Sequence, residues 1–323
     1  MILDGTDPAA IAQAAAHLAA GELVAFPTET VYGLGADAAS DRAVAGIFAA
    51  KGRPSDHPLI VHVPDLAAAQ TFAAEITPAA RRLADAFWPG PVTVIVRRAA
   101  GRADAAASGL ATIALRCPSH PVARCLLARC AELGVAGLAA PSANRFGGVS
   151  PTCAEHVAAE FGPDLMVLDG GQCEWGIEST IVDCSAQAPV LLRPGVLPRD
   201  RIEQVLGGAL QDPGDDAVRA PGTLESHYAP RAKLRLMDGP ELAKALAMLP
   251  PAMKGLAVYS RSAPRHHPMF RVMPDDALAV AQELFAVLRG FDAQGARLIW
   301  VERPPDTPDW EGVNDRLQRA AAS

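Results

Sequence analysis

Lys51 stands in Lys51-Gly52-Arg53-Pro54 and is the only lysine in the first 232 residues. Every other permanent side-chain cation of that stretch is an arginine. An ammonium is a compact point charge whose rotatable donors suit phosphate oxygens, whereas a guanidinium is a rigid fork suited to a carboxylate. Four polar turns accompany this lysine: Pro27-Thr28-Glu29-Thr30, Pro141-Ser142-Ala143-Asn144, Glu178-Ser179-Thr180 and Arg193-Pro194-Gly195. In each, an apolar strand is expected to deliver hydroxyls or a cation at its exit. Taken singly, such turns reflect the local preferences of Ser, Thr, Asn, Pro and Gly. A lone Lys51 is a favoured helix-end cation, and Arg116 is a surface ion-pair partner. Taken together they point to one crevice at converging strand ends, where Lys51, Arg53, Arg116 and Arg193 face a triphosphate or a carboxylate.

The elements that must position these groups alternate between strand and helix patterns. Leu23 to Phe26 reads as a strand stopped by Pro27. Ser40 caps a helix running to Ala50, with Gly52 as its stop. Strands are expected at 59–63, 92–96, 112–115, 165–168, 179–182 and 190–192, and an apolar stretch at 137–140 feeds the Pro141 turn. Helices are expected after Thr77-Pro78, over 120–133, and after a capping box at Thr152-Cys153-Ala154-Glu155. This series is not a strict βαβ alternation, so a mixed sheet flanked by helices fits best. From 207 to 230 the pattern lapses into Gly, Pro and Asp, a length that marks a functional loop. Beyond it, strands at 233–237, 255–260 and 297–301 with helices over 240–249 and 275–289 predict a small parallel α/β domain.

Composition narrows the function. Half of the 323 residues are apolar and the net charge is −7, which argues against a dedicated nucleic-acid binder and leaves room only for a local, weak RNA contact. The six cysteines (117, 125, 130, 153, 173 and 184) show no CxxC spacing and no His cluster completes a zinc pattern, so they read as buried free thiols of a reducing compartment. With no basic leader and no apolar run near a membrane span, a soluble cytoplasmic protein is expected. No GxxxxGK[ST] is present. Gly33-Leu34-Gly35-Ala36-Asp37-Ala38 matches GxGxxA but is not placed between a strand and the helix it opens. Ser142 lacks a surrounding GxSxG, and Arg265-His266-His267-Pro268 reads as a solvated loop.

The motifs in order are Pro27-Thr28-Glu29-Thr30-Val31-Tyr32-Gly33-Leu34, Lys51-Gly52-Arg53-Pro54, Pro58-Leu59-Ile60-Val61-His62 and Trp88-Pro89-Gly90-Pro91-Val92-Thr93. They continue with Pro141-Ser142-Ala143-Asn144, Ser179-Thr180 and Arg193-Pro194-Gly195. Across about the first 205 residues this set resembles the Sua5/YrdC family of threonylcarbamoyl-AMP synthases. Ser226-His227-Tyr228-Ala229-Pro230 and Leu298-Ile299-Trp300-Val301-Glu302 resemble the linker and C-terminal domain of its longer Sua5 type. The resemblance implies a YrdC-like mixed twisted sheet over 1–206, a linker or lid over 207–232, and a smaller Rossmann-like parallel α/β domain over 233–323.

It also implies the activity of a nucleotidyltransferase that converts L-threonine, bicarbonate and ATP to threonylcarbamoyl-AMP and pyrophosphate. That product supplies the transferase machinery that modifies adenosine-37 in tRNAs reading codons that begin with A. Carried over residue by residue, threonine falls to Thr28 or Thr30, His62, Arg116 and Ser179 or Thr180, with Arg116 on its carboxylate. ATP falls to Lys51, Arg53, Ser55, Thr112, Ala140, Ser142, Asn144, Ser150 and Arg193, with Lys51 nearest the phosphates and Lys51 and Arg53 as the catalytic cations. His227 and Tyr228 would belong to a lid. Mg2+ would travel with ATP, because no carboxylate cluster offers a protein site. Three other readings compete: a nucleotide- or RNA-binding module without turnover, a carbamoyl-transfer maturation factor, and a non-synthase relative on the same fold.

Overall fold

The computed structural model describes residues 1–214, 217–224, 227–250, 253–264 and 267–322. Ser226 and the Arg265-His266 pair lie outside them.

Local chemistry sets most of the helix ends. Asp7 caps α1 (Pro8–Ala19), and Ser40 caps α2 (Asp41–Lys51) by accepting from the Ala43 amide. α2 stops at Gly52, whose φ of 63° is the left-handed cap that glycine adopts freely. Asp65 caps the short α3 (Leu66–Gln70), Thr77 caps α4 (Pro78–Phe87), and the His120 ring caps α5 (Pro121–Glu132). The expected capping box is displaced. α6 (Ala154–Phe161) has Cys153 at its N-cap with no side-chain bond, while Thr152 pairs with His156 instead. α7 (Arg199–Leu206) closes the first half.

Among the described residues ten strands form one mixed sheet. They are β1 (Ile2–Asp4), β2 (Val24–Phe26), β3 (Gly33–Asp37), β4 (Ile60–His62), β5 (Val92–Arg97), β6 (Thr112–Arg116), β7 (Leu138–Ala139), β8 (Met166–Asp169), β9 (Thr180–Asp183) and β10 (Val190–Arg193). Their spatial order is β1-β8-β2-β3-β7-β4-β6-β5-β9-β10. β3 is the GxGxxA stretch, paired antiparallel with β2 rather than forming a nucleotide loop. Its Gly35 is a packing requirement, since a Cβ there would sit 2.7 Å from the Phe26 ring.

Period-two alternation divides the sheet's residues between its two faces. Ala25, Val61, Val94, Leu115 and Val182 pack into the largest core, with Val44, Ile47 and Leu83 from α2 and α4. On the opposite face Val24, Phe26, Leu138 and Leu168 pack against α1 and α5. Further along that face Ile60, Ile95, Ala114, Ile181 and Leu192 form a separate small cluster. The gap between these two clusters is where the polar turns meet.

The second sheet is wholly parallel, in the order β11 (Lys233–Met237), β14 (Leu298–Glu302), β12 (Leu256–Ser260), β13 (Phe270–Val272). Its helices are α8 (Gly239–Ala247), α9 (Ala277–Ala293) and α10 (Glu311–Ala321). This domain shares a core with the first. Val31, Val149, Ile177 and Tyr228 pack with Leu284, Phe285, Trp310 and Leu317. Among the described residues no helix is long and apolar enough to cross a membrane.

Candidate active site

β4 and β6 run parallel in a register that sets His62 directly beside Arg116, both at the carboxyl ends of their strands. The same alternation that buries Val61 and Leu115 on one face turns His62 and Arg116 to the other. His62 is buried against Phe26, with ring centroids 6.2 Å apart, and its Nδ1 has no hydrogen-bond partner among the described residues. Burial, with Arg116 nearby, pushes its pKa down to about 3, so the ring is neutral.

The turn after β2 supplies the support for Arg116. Thr28 Oγ1 donates to the Val31 carbonyl at 2.7 Å and accepts from the amides of Thr30 and Val31, which folds the turn on itself. Arg116 donates to Thr30 Oγ1 at 2.8 Å, to Glu29 Oε1 at 2.5 Å and to the Gly90 carbonyl at 3.3 Å. The other Glu29 oxygen accepts from the Ser119 amide at 3.0 Å. Of the five N–H groups a guanidinium carries, these bonds occupy three, which leaves two for an incoming carboxylate.

Lys51 is buried beneath the 142–144 turn. Its ammonium donates to the carbonyls of Ser142 at 2.6 Å and Asn144 at 2.5 Å, leaving a third donor. Burial first, then Arg53, holds its pKa well below the usual lysine range. Arg53 bonds the Pro58 carbonyl at 3.0 Å and lies over the Phe146 ring at 5.5 Å.

On the far wall Arg193 donates to the Ser179 carbonyl at 3.0 Å, to Ser179 Oγ at 3.2 Å and to the Pro221 carbonyl at 3.0 Å. Ser179 Oγ also meets Thr93 Oγ1 at 2.8 Å. Glu178 accepts from the Ser150 hydroxyl and from Arg316. Burial pushes its carboxyl up, but Arg316, Arg193 and these hydrogen bonds outweigh that, and it lies below the usual range.

Residues 221–222 and 227–228 border the site. Pro221, Gly222, His227 and Tyr228 line the cavity, which encloses only about 50 Å³. That is room for a water or two. Gly222 has φ +76°, and a Cβ there would lie 2.3 Å from Tyr228 Oη and 2.7 Å from an Arg193 nitrogen. His227 packs against Tyr228 and Phe146, and Tyr228 stacks on Phe285 at 5.5 Å.

The cavity wall therefore includes Thr28, Arg53, His62, Arg116, Ala140, Ser142, Ser179, Arg193, His227 and Tyr228 of the expected residues. Thr30, Lys51 and Ser150 stand one layer behind it, bonded to Arg116, Ser142 and Glu178 of the wall, and the buried Asn144 accepts from Lys51 through its carbonyl. Thr180 heads β9 with its hydroxyl unpartnered among the described residues, and Gly195 approaches it closely. Ser55 is on an exposed turn. Thr112 begins β6, roughly 13 Å along the strand from Arg116 at about 3.3 Å per residue. Glu178-Ser179 leads into β9 rather than leaving a strand. The sequence reading gave no role to Glu29, Glu178, Pro221 or Gly222. A carboxylate inside the hydroxyl-rich 27–30 turn was the available signal for Glu29; the others depend on contacts distant in sequence. Among the described residues no three His, Cys, Asp or Glu side chains form a metal cluster. The buried carboxylates here, Glu29 and Glu178, are tied to arginines.

Residues 16–195 match the Sua5/YciO/YrdC family profile, described as "Telomere recombination", and residues 197–322 match the profile "Threonylcarbamoyl-AMP synthase, C-terminal domain". The chain is 38% identical over 320 residues to a threonylcarbamoyl-AMP synthase of Pyrococcus abyssi, covering 95% of this chain and 93% of that protein. It is 39% identical over 340 residues to the Bacillus subtilis protein of the same name, covering 99% and 94%. The crystal structure of Pyrococcus abyssi Sua5 complexed with L-threonine superposes with a TM-score of 0.87 at 37% identity, covering 96% of this chain and 94% of that one. Profile, relatives and fold agree over nearly the whole length: the chain belongs to the Sua5/YrdC family, in its two-domain Sua5 form.

Proposed function

We propose that this protein is a threonylcarbamoyl-AMP synthase, a nucleotidyltransferase that joins L-threonine, bicarbonate and ATP. The observation that carries the reading is Arg116, which Glu29, Thr30 and Gly90 hold with two N–H groups unspent beside a neutral His62. Those N–H groups take the threonine carboxylate. Thr28 and Ser179, rather than Thr30 and Thr180, contact the amino acid, because they line the cavity. The unpartnered His62 Nδ1 accepts from the amino acid. Arg53, Ala140, Ser142 and Arg193 form the nucleotide side, with the third donor of Lys51 reserved for phosphate.

Threonine nitrogen adds to bicarbonate with loss of water to give a carbamate. A carbamate oxygen attacks the α-phosphorus of ATP, and the bond to the β-phosphate oxygen breaks to release pyrophosphate. The protein contributes position and positive charge, which offset the anionic charge that gathers there. Mg2+ arrives with the ATP phosphates. The 207–232 segment acts as a lid between a 1–206 catalytic unit and a 233–323 C-terminal unit, and closure keeps water from the carbamate and the mixed anhydride. The product passes to the cytoplasmic machinery that modifies adenosine-37. With a net charge of −7, any contact with tRNA is weak or indirect.

The test is pyrophosphate release from ATP by the full chain. Release is expected only with both L-threonine and bicarbonate, and to collapse in Lys51→Ala. Release that ignores threonine would exclude this reading.

A further inference from the structure

One side chain of the C-terminal domain bonds the backbone on both sides of the far wall of the candidate site. Arg316, on α10, is fully buried at 0% exposure. Its Nε donates to Glu178 Oε2 at 2.8 Å, its Nη2 to the Glu178 carbonyl at 3.2 Å, and its Nη1 to the Pro194 carbonyl at 2.8 Å and Asp315 at 2.7 Å. Glu178 immediately precedes Ser179, and Pro194 immediately follows Arg193, so one guanidinium grips the backbone beside both wall residues. Its plane also faces the Tyr228 ring at 5.2 Å.

The backbone packing leaves no slack around this grip. One helical turn earlier, a Cβ on Gly312 would lie 2.3 Å from the Gly195 carbonyl. A Cβ on Gly176 would lie 2.4 Å from the Gln282 carbonyl of α9. The 176–179 turn is thus pressed between α9 and α10. Adhesion alone does not call for a charge there, because apolar side chains of similar volume hold a buried interface as well as an ion pair does. Arg316 does not line the cavity, so it acts through its neighbours.

We infer that Arg316 is a positioning residue by which the C-terminal domain fixes Ser179 and Arg193, and so builds the threonine and nucleotide subsites of the first domain. The inference rests on the synthase reading and deepens it. It gives the second domain a direct part in the site beyond carrying the lid.

The test is calorimetric titration of the full-length protein with L-threonine in the presence of a non-hydrolysable ATP analogue, comparing wild type with Arg316→Lys and Arg316→Met. The fitted stoichiometry reports the folded fraction, and the Kd reports the site. Expected is a stoichiometry near that of wild type with Kd raised at least about tenfold, equivalent to about 1.4 kcal/mol, and threonine KM raised more than kcat is lowered. A reduced stoichiometry with unchanged Kd would overturn the inference and leave Arg316 a folding residue. Where the single variants do not fold, Glu178→Gln/Arg316→Gln removes both buried charges and is titrated in the same way; a wild-type Kd there would also overturn it. Wild type that binds no threonine would instead contradict the synthase reading.

Discussion

Glu29 and Arg116 form a buried ion pair, Oε1 to Nη2 at 2.5 Å, with both side chains almost wholly excluded from water. The pairing aims a guanidinium that would otherwise have several rotamers, and it lets a cation stay buried before any ligand arrives. Removing one partner of such a pair leaves an uncompensated buried charge, which costs about 3–5 kcal/mol. Glu29→Ala should therefore lower the urea midpoint clearly. In the fraction that folds, threonine KM should rise at least about tenfold, the effect of losing roughly 1.4 kcal/mol of positioning. A variant with wild-type KM would show that Glu29 does not orient Arg116.

Gly222, in the proposed lid, has no room for a side chain. Gly222→Ala sets a methyl group against Tyr228 Oη and Arg193, at a φ that side chains rarely adopt. The expected outcome is a protein that still binds ATP but closes poorly. Yield of threonylcarbamoyl-AMP per pyrophosphate released should fall, because water reaches the intermediate. Chromatographic quantitation of both products checks this; an unchanged ratio would argue against a sealing role for the segment.

Acid should weaken the fold through buried histidines, of which His62 and His227 are displaced furthest. Burial, with Arg116 nearby, pushes His62 down to about 3. Burial also pushes His227 down to about 3, opposed by Glu178 and assisted by Arg53, Lys51 and Arg193. In the unfolded chain both rings take up a proton near the usual 6.5. Between about pH 6.5 and pH 3 the unfolded state binds more protons, so stability falls as pH drops, by up to about 1.4 kcal/mol per pH unit for each ring. Above about pH 6.5 both states are neutral and this dependence vanishes. Urea unfolding at pH 7.5 and 5.5 should show the loss, and His62→Gln should remove part of it. Equal pH slopes in variant and wild type would contradict the assignment.

Much of this architecture was legible because local signals set it. Ser40, Thr77 and Gly52 mark their helix ends by capping chemistry, and β11, β12 and β14 fall on apolar runs with turn residues either side. β3 was not legible, since Gly33 and Gly35 read as a turn until the approach of Phe26 and Ala140 supplies a packing reason for them. The same division holds in the site. His62 and Arg116 share a face through simple alternation, but their adjacency needs the β4–β6 register. Thr28 and Thr30 could not be separated by composition; only the fold sets one on the wall and the other against Arg116. Arg316 lies 138 residues from Glu178, and no local pattern announces a contact made across a domain boundary.

The most direct test of the central claim follows a labelled carbon. The full-length protein is incubated with ATP, L-threonine and carbon-13 bicarbonate, and the products are resolved by mass spectrometry. The account predicts an AMP-containing adduct that carries both threonine and the labelled carbon, formed in step with pyrophosphate and missing when Arg116 is replaced by Met. ADP and inorganic phosphate as the products, or an adenylate without the label, would contradict it.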